Sequence, residues 1–318
     1  MSQPSANNNN NENTYSKVFL VGATGIVGQH VTKALLKHHP HTQVKLLIRK
    51  ESEQKASELK QLGAELVFGD LTTLTTQELD HVLDGSEVIV SALSGDSTVL
   101  HEAQLKLLQS AQRVKSVKKF LPSAFGVDHD SLQYGVFISN DIKKKFAELV
   151  VNSGWEYVFV NTYMFYSYAA LPNFLFEYHP ETKIVKYDGE RNTPIPMTDL
   201  EDVGKFTALA ALRKDIKNQS VNVKGDVKTL SEIAKLLHGN DIQFEKGLDL
   251  DALKQDIERK LKSGIQQPQD FFTILVLQLR WIFATGIATP QKYDNLELFK
   301  NVQPKSFEEF VATLSKQH

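Results

Sequence analysis

Three glycines spaced three residues apart form the first group in the sequence whose spacing suits a ligand. They lie between a β-branched run and a helical stretch, in the segment Gly22-Ala23-Thr24-Gly25-Ile26-Val27-Gly28. Such glycines permit a tight turn, close approach of a pyrophosphate to the backbone, and close packing of the helix on the strand. Unpaired N–H groups at the helix start would face the phosphates. The motif predicts a dinucleotide-binding turn, and a glycine turn without a ligand is the alternative.

Two basic residues follow the second predicted strand, at the point where proteins that prefer NAD usually carry an acidic one. These residues are Arg49 and Lys50. A guanidinium at this point can pair with a 2′-phosphate, and a charge-assisted hydrogen bond of about 1.5–3 kcal/mol corresponds to a preference of roughly ten- to hundredfold. The sequence therefore predicts NADPH rather than NADH as the cofactor. Solvated loop charges followed by Glu51 are the alternative.

A second turn, Gly69-Asp70-Leu71, ends the third predicted strand. Asp70 could accept a hydrogen bond from an adenine amino group while Leu71 lines the ring, although a plain turn would look the same. Ser91 ends the fourth predicted strand. Ligands of open α/β sheets bind at the carboxyl ends of the strands, so we assign Asp70, Leu71 and Ser91 to the cofactor site.

A run of three lysines, Lys143, Lys144 and Lys145, lies in a predicted helix. The apolar residues at helical spacing, which form its predicted core face, are Ile142, Phe146, Leu149 and Val150. Lys143 and Lys145 flank this face while Lys144 points away, so periodicity does not choose between the two. A lysine beside a cationic nicotinamide would have a lowered pKa, as acid–base chemistry near neutral pH requires. A solvated lysine surface is the ordinary alternative.

Short β-branched runs alternate with helical stretches through the first half of the chain. The predicted strands are Lys17–Val21, Lys45–Ile48, Glu65–Phe68, Val88–Ser91, Lys119–Pro122 and Glu156–Val160. This alternation is typical of a parallel sheet covered by helices, with right-handed connections. We predict an α/β fold: a Rossmann-type doubly wound parallel sheet with a smaller C-terminal substrate-binding domain.

The polar, Asn-rich residues 1–15 are expected to form a disordered tail. Residues 16–162 are assigned to the NAD(P)-binding domain. Prolines and aromatic residues interrupt the regular pattern beyond this point. Residues 163–318 are therefore assigned mainly to the substrate-binding domain, with some segments returning to the Rossmann sheet.

Composition limits the classes of partner. The 318 residues carry a formal charge of −2 and contain no cysteine, which excludes disulfides and thiolate sites and gives no electrostatic reason to expect a nucleic acid. The apolar stretch Phe271–Ala288 includes Gln278 and Arg280, which disfavours a membrane span. The histidines of His38-His39-Pro40-His41 lack a carboxylate at ligand spacing, so we expect no metal. We expect a cytoplasmic monomer or homodimer that binds a small-molecule substrate.

The motifs taken together resemble the isoflavone reductase-like and NmrA-like group of atypical short-chain dehydrogenases. The segments that carry the resemblance are the Gly22–Gly28 turn, Arg49, Gly69-Asp70-Leu71, Phe120-Leu-Pro-Ser-Ala-Phe-Gly126 and the helix with Lys143. The match runs from about Ser16 to the C-terminus, and it is more specific in the first half.

The resemblance implies an NADPH-dependent reductase of phenylpropanoid-like or other aromatic compounds. It implies that Lys143 is the proton-transferring group and touches the nicotinamide ribose. Lys55 falls near a second contact to the 2′-phosphate, and Ser123 is a candidate catalytic hydroxyl near the nicotinamide. Regulators that bind NAD(P) and act through a protein partner, as NmrA does, belong to the same wider group and supply the alternative function.

The chain departs from related patterns at three positions. Ser139 stands where the tyrosine of the Tyr-x-x-x-Lys pair of ordinary short-chain dehydrogenases would precede Lys143. Ala124 replaces the glutamate of the family's Pro-Ser-Glu-Phe-Gly segment, and Ala147 replaces an arginine that often follows the lysine by one helical turn. The first departure agrees with a lysine-dependent reductase, and the other two keep the alternative function open.

Aromatic residues are the candidates for a substrate wall. They are Phe125, Tyr163, Phe165, Tyr166 and Tyr168. Aromatic side chains line many small-molecule pockets, but they also pack in cores. We expect these residues to contact the substrate, with core packing as the alternative.

Overall fold

The central element of the fold is a seven-stranded sheet that begins with the first predicted strand. A computed structural model of the chain describes residues 13–95 and 98–314. The predicted disordered tail lies outside the described residues except for its last three. Of these, Tyr15 is buried, and its hydroxyl donates a hydrogen bond of 2.8 Å to Glu156. Contacts with the folded chain therefore begin earlier than the predicted boundary at residue 16.

The strands are short. A first group, β1 to β6, alternates with helices, and a second group, β7 to β13, follows it along the chain. They are β1 (Lys17–Val21), β2 (Gln43–Ile48), β3 (Glu65–Phe68), β4 (Val88–Ser91), β5 (Lys119–Leu121), β6 (Glu156–Asn161), β7 (Met164–Phe165), β8 (Glu177–His179), β9 (Ile184–Tyr187), β10 (Pro194–Thr198), β11 (Gln219–Asn222), β12 (Asp226–Thr229) and β13 (Gln243–Lys246). Three predicted strands have the observed bounds. The other three differ by one or two residues at one end, where side-chain pattern constrains pairing least.

The helices alternate with the strands of the first group and dominate the last third of the chain. They are α1 (Ile26–His38), α2 (Ser57–Gln61), α3 (Thr76–Leu83), α4 (Gln104–Arg113), α5 (Ile138–Asn152), α6 (Tyr166–Ala169), α7 (Leu200–Leu212), α8 (Leu230–His238), α9 (Leu250–Ser263), α10 (Pro268–Thr285), α11 (Asn295–Leu298) and α12 (Phe307–Leu314). Among the described residues, none of these helices combines the length and the apolar character that a membrane crossing requires.

The strand order of the large sheet is β3-β2-β1-β4-β5-β6-β11. All pairings from β3 to β6 are parallel, and Leu20 of β1 lies opposite both Leu46 of β2 and Val90 of β4. These three leucine and valine side chains are fully buried, as expected where helices cover both faces of a parallel sheet. The order reverses direction between β1 and β4, which confirms the predicted doubly wound Rossmann-type sheet.

Contacts divide the chain into two compact units. Unit 1 comprises the chain up to Ser123 together with Lys145–Val160 and Val203–Val221, and it contains nearly all of the seven-stranded sheet. Unit 2 comprises Ala124–Lys144, Asn161–Asp202 and the chain from Asn222. Unit 2 contains two three-stranded sheets, β12-β10-β7 and β13-β9-β8. Its core includes the fully buried Tyr166 and Phe307, whose rings pack edge to face.

A buried lysine closes the end of helix α7 within unit 1. The ammonium of Lys119, on β5, donates hydrogen bonds to the main-chain oxygens of Ala210 (3.2 Å), Arg213 (2.6 Å) and Ile216 (2.8 Å). The last carbonyls of a helix lack partners within the helix, so the lysine supplies donors that they would otherwise need from water. Burial of this ammonium lowers the pKa of Lys119 to about 8.

Replacing Lys119 with methionine should destabilise the protein. Lys119→Met keeps the length of the side chain but leaves buried carbonyls unpaired, and we expect a loss of about 2–4 kcal/mol in the free energy of unfolding. Urea denaturation measures this loss. The control is Lys118→Met, because Lys118 is exposed and its ammonium donates to the nearby Lys115 carbonyl. Equal stability of the two variants would contradict the capping role.

Candidate functional site

Close contacts leave no space for side chains at two glycines of the Gly22–Gly28 turn. Gly22 has a φ of +78°, and a Cβ atom there would lie 2.5 Å from the carbonyl oxygen of Ala92. A Cβ atom at Gly28 would lie 2.1 Å from the carbonyl oxygen of Gly22. The backbone therefore passes β4 and enters α1 along a path that only glycine permits. This geometry agrees with the roles that the spacing of the motif predicts.

The N-terminus of helix α1 is left open to a ligand. Gly25 is the N-cap residue and supplies no side-chain hydrogen bond, and the first turn of this fully described helix contains no acidic residue. The first N–H groups of a helix have no partners within it, and they lie at the positive end of the helix dipole. An anion such as a phosphate accepts hydrogen bonds from these N–H groups and is attracted by the positive end of the dipole.

A cavity of about 370 Å³ opens beside this turn, wholly within unit 1. We call it the glycine-turn cavity. Its lining residues come from the carboxyl ends of β1, β2, β3 and β4 and from the segments that follow: Val21, Gly22, Ala23, Thr24, Gly25, Leu47, Ile48, Arg49, Ser52, Lys55, Gly69, Asp70, Leu71, Thr72, Ala92, Leu93, Ser94, Val99 and Ala103. Ile26, Val27 and Gly28 are not among them, since they belong to the helix that starts at the turn.

Of the three basic residues assigned to the 2′-phosphate, two line the glycine-turn cavity. Arg49 and Lys55 are lining residues. Arg49 is exposed, and its side chain makes an ion pair of 3.4 Å with Glu51. Lys50 is not a lining residue: its ammonium lies 2.6 Å from Glu53 and 4.4 Å from the centre of the Phe68 ring. The structure therefore separates Lys50 from the residues with which the sequence grouped it.

The turn after β3 is ordered by hydrogen bonds. The Asp70 carboxylate accepts from the backbone N–H of Thr72 (2.8 Å) and from its hydroxyl (2.6 Å), and the hydroxyl bond is the main reason that the pKa of Asp70 is lowered. The ammonium of Lys106 donates to the carbonyl oxygens of Leu71 and Leu74. Sequence reasoning missed Lys106 because it lies in α4, far along the chain from this turn.

The two serines that the sequence assigned to the site lie outside the lining of the glycine-turn cavity. Ser91 is fully buried in β4, and its hydroxyl has no hydrogen-bond partner among the described residues. Ser123 is also buried; its hydroxyl donates to the Leu93 carbonyl at 2.6 Å, and its N–H donates to the Gln104 side chain at 2.9 Å. In the described structure Ser123 thus fixes two backbone segments of unit 1.

Lys143 of helix α5 lines a second cavity. Its ammonium donates to the carbonyl oxygens of Ala124 and Phe125, and no carboxylate among the described residues pairs with it. Burial alone lowers the pKa of Lys143 to about 8. An amine with this pKa can both donate and accept a proton near neutral pH.

The other two lysines of the run face elsewhere. Lys144 donates to the Leu132 carbonyl at 3.2 Å and lies over the Tyr134 ring, while Lys145 is exposed. The predicted core face is wrong at Leu149, which is 38% exposed. The buried residues Phe146, Ala147 and Val150 show that the face is rotated by part of a turn. Packing sets a rotation of this size, and the spacing of apolar residues in the sequence does not show it.

A cavity of about 120 Å³ within unit 2 is lined in part by Lys143. We call it the aromatic cavity. Most of its lining residues are apolar: Phe125, Gly126, Val127, Phe137, Ser139, Asn140, Lys143, Tyr163, Met164, Phe165, Tyr168, Leu275, Leu279 and Phe283. Four of the five aromatic residues predicted to contact a substrate are in this set. Asn140 and the three residues from α10 were missed, because nothing in their local sequence relates them to Lys143.

Backbone strain lies beside the same cavity. Phe125 has a φ of +21° and Tyr163 a φ of +57°, values that residues with side chains rarely adopt. Strain of this kind costs on the order of 1–3 kcal/mol at each residue and is common at functional sites. The turn at Phe125 presents successive carbonyls to Lys143, and two N–H groups, of Thr162 and Tyr163, donate to the Gly126 carbonyl.

The three tyrosines have different surroundings. The Tyr163 hydroxyl donates to the Asn222 side chain at 2.8 Å, and burial raises the pKa of Tyr163. Tyr168 is partly exposed, and its ring packs against Phe165 at a centroid distance of 5.5 Å. Tyr166 is fully buried, and its hydroxyl donates to the Lys305 carbonyl at 2.7 Å. Tyr166 is therefore a core residue in the described structure and does not line the cavity.

One further cluster contains potential metal ligands. Donor atoms of Asp128, His129 and Asp130 lie within 4.8 Å of one another. Burial lowers the pKa of His129 more than the two carboxylates raise it. Asp130 is largely exposed, and exposed acidic groups of this kind are common without a metal, so we assign no metal to the cluster.

A sheet of this order, with a glycine turn and cavity at its first strand, defines a Rossmann-type dinucleotide-binding protein. The sequence model of the NmrA-like family matches residues 14–311. The chain therefore belongs to the NmrA-like family.

Curated relatives and solved structures agree with this assignment. The chain is 28% identical to phenylcoumaran benzylic ether reductase PT1 of Pinus taeda over 317 residues, which cover 93% of this chain and 98% of the relative. It is 28% identical to pinoresinol reductase 1 of Arabidopsis thaliana over 229 residues, which cover 69% and 71%. Its fold is similar to that of the leucoanthocyanidin reductase–NADPH complex from Vitis vinifera, with a TM-score of 0.77, 21% identity, and coverage of 94% and 99%.

The environment of Lys143 predicts an unusual titration. In protein labelled with ¹³C-lysine, the Lys143 Cε resonance should titrate near pH 8, because burial without a counter-ion disfavours the charged form. NMR spectroscopy measures this shift, and Lys143→Met identifies the resonance by removing it. Lys119→Met distinguishes the other buried lysine. Titration of Lys143 at the ordinary lysine value of about 10.4 would contradict the described environment.

Proposed function

We propose that the protein is an NADPH-dependent reductase of a small aromatic compound with an unsaturated or carbonyl carbon. The observation that carries the proposal is the combination of a glycine-turn cavity lined by Arg49 with an aromatic cavity lined by Lys143, which has no carboxylate partner among the described residues. The named reductases among the relatives, including pinoresinol reductase 1, support the same class of reaction.

The residues of the glycine-turn cavity fit a dinucleotide phosphate. The open helix start at Gly25 would hold the pyrophosphate, and the absence of side chains at Gly22 and Gly28 lets the backbone approach it. Arg49 and Lys55 would hold the 2′-phosphate, while Leu71 would pack against the adenine. When bound, NADPH supplies a hydride to the substrate carbon and becomes NADP⁺.

Lys143 would complete the reduction by moving a proton. After hydride addition the substrate holds an electron pair on oxygen or on carbon, and the Lys143 ammonium donates the proton that neutralises it. Water then returns a proton to the lysine. The carbonyls of Ala124 and Phe125 hold the Nζ atom in place through both protonation states, because they require only its N–H groups. The substitution of glutamate by Ala124 does not remove this support, which comes from the backbone.

A regulator that binds NAD(P) and acts through a protein partner is the second candidate. Ala147, in place of an arginine of the family, favours it, because this buried alanine offers no cofactor contact. Lys143 in the aromatic cavity favours the reductase, since a regulator needs neither an acid–base group nor a substrate pocket. Following NADPH absorbance with a panel of aromatic enones, imines and quinones separates the two. Tight NADPH binding without oxidation by any compound would favour the regulator.

Arg49 should set the preference for NADPH over NADH. Arg49→Ala removes a guanidinium from the lining of the glycine-turn cavity, and we expect NADPH to bind roughly ten- to hundredfold more weakly while NADH binding changes little. Isothermal titration calorimetry gives both dissociation constants. The matched control is Lys50→Ala, because Lys50 pairs with Glu53 and does not line the cavity. Equal affinities for the two cofactors in the unmodified protein would contradict the argument.

Lys143 should control the rate and its dependence on pH. Lys143→Met should lower kcat by about 10²- to 10⁴-fold, the usual contribution of a general acid, with a much smaller change in NADPH affinity. In the unmodified protein kcat/KM for reduction should fall as pH rises through about 8, because the ammonium loses the proton that it must donate. Steady-state kinetics measure both effects.

The control for this experiment is Lys145→Met, since Lys145 flanks the same helix face but is exposed. This variant should keep the activity and the pH profile of the unmodified protein. A Lys143→Met variant that reduces substrate at the original rate would remove Lys143 from the mechanism.

A further inference from the structure

Helix α10 lines the aromatic cavity with one continuous face. Leu275, Leu279 and Phe283 follow one another at intervals of four residues, so their side chains lie on the same side of the helix. The middle of α10, from Ile274 to Ala284, is apolar apart from Trp281 and two strongly polar side chains, Gln278 and Arg280. The contacts of these two residues determine how firmly the face is held.

Gln278 fixes α10 to the segment that precedes the Lys143 helix. Its side-chain oxygen accepts from the N–H of Ile138 at 3.3 Å, and its side-chain nitrogen donates to the carbonyl of Val136 at 3.2 Å. Gln278 is nearly fully buried, so breaking these bonds would leave polar groups without water. Phe137, between the two bonded residues, lines the aromatic cavity. The glutamine therefore fixes the separation of two cavity walls.

Arg280 fixes α10 to a second segment of unit 2. Its guanidinium donates to the carbonyls of Asn173 and Phe174, each at 2.7 Å, and to the Asp188 carboxylate at 3.0 Å. The Arg280 side chain is only 10% exposed, which makes these charge-assisted bonds costly to break. Phe174 packs in turn against Tyr168, a lining residue, at a centroid distance of 5.3 Å. The wall that α10 forms is therefore held at two points, and moving it would break the buried hydrogen bonds of Gln278 and Arg280.

The volume behind this wall fits one ring. A cavity of about 120 Å³ is close to the roughly 150 Å³ cavity that binds benzene in an engineered protein. Pockets for drug-sized ligands measure about 300–1,000 Å³. The lining is largely apolar and contains no carboxylate among the described residues, so a cationic substrate group would lose its hydration without a counter-ion.

We propose that α10 acts as a rigid size filter, which limits the substrate to a compound with a single aromatic ring. Gln278 and Arg280 are positioning residues that hold the filter, and Leu279, at the middle of its face, limits the length of the substrate. This inference rests on the proposed reductase function, because it names the substrate class for the same site.

Two enones of different length test the filter. 4-Phenylbut-3-en-2-one has one ring, and 4-(biphenyl-4-yl)but-3-en-2-one adds a second ring to the same reactive group. We expect kcat/KM of the unmodified protein to be at least about tenfold higher for the shorter enone, because overpacking a fixed wall is strongly unfavourable. Similar values for the two enones would overturn the proposal.

Variants of α10 test which residues set the limit. Leu279→Ala should lower the ratio of the two kcat/KM values at least severalfold by admitting the longer enone. Leu277→Ala is the matched control, since Leu277 lies on the same helix but does not line the cavity, and it should leave the ratio unchanged. Gln278→Leu should lower the ratio because the wall can then recede, whereas a purely structural role would reduce both rates alike. An unchanged ratio in Leu279→Ala would overturn the proposal.

Failure of the proposed function can be distinguished from failure of the filter. If neither enone oxidises NADPH, calorimetric binding of the same two enones replaces the kinetics, and the reductase assignment fails only if no other compound of the panel oxidises NADPH. Tighter binding of the shorter enone, reversed or removed in Leu279→Ala, still supports the filter. Equal binding of both enones by the unmodified protein overturns it.

Discussion

The close approach of helix α1 to strand β1 is the constraint on which the dinucleotide site depends. A methyl group at Gly28 would meet the Gly22 carbonyl at 2.1 Å, and one at Gly22 would meet the Ala92 carbonyl at 2.5 Å. The backbone can follow this path only without side chains, and the path leaves the first N–H groups of α1 uncapped. The same few residues therefore position the helix on the sheet and create the place for an anion.

A second constraint governs the chemistry of unit 2. Main-chain carbonyls hold Lys143, and no carboxylate among the described residues pairs with it. Burial therefore lowers the pKa of Lys143 without an opposing effect from a negative charge. A carboxylate partner would favour the ammonium and keep its pKa high. The strained turn at Phe125 supplies the carbonyls, which explains how the chain supports this lysine although the family's glutamate is replaced by Ala124. The proposed proton transfer depends on the backbone of this turn more than on its side chains.

The proposed substrate cavity depends on residues that come late in the chain. The aromatic cavity receives Phe125, Tyr163 and Tyr168 from segments near Lys143, while α10 closes it with Leu275, Leu279 and Phe283. The buried contacts of Gln278 and Arg280 give this helix a fixed position.

Local spacing along the chain accounts for several features of the molecule. The glycine turn, Arg49 at the end of β2, and the order of parallel strands all follow from neighbouring residues, because a turn, a strand end and a buried β-branched run each have a local physical cause. The family assignment rests on the same segments and is confirmed by the match over residues 14–311.

Packing between distant segments selects which of several residues with equivalent local patterns lines a cavity. Periodicity left Lys143 and Lys145 equal, and the packing of Phe146 and Val150 turned Lys143 inward. Tyr166 has the same local pattern as its neighbours, yet its hydroxyl meets the Lys305 carbonyl in the core. Gln278 gave no local signal, because its partners at Val136 and Ile138 are about 140 residues away. Contacts at such separations depend on how elements pack, and the spacing of residues along the chain does not encode that packing in a readable form.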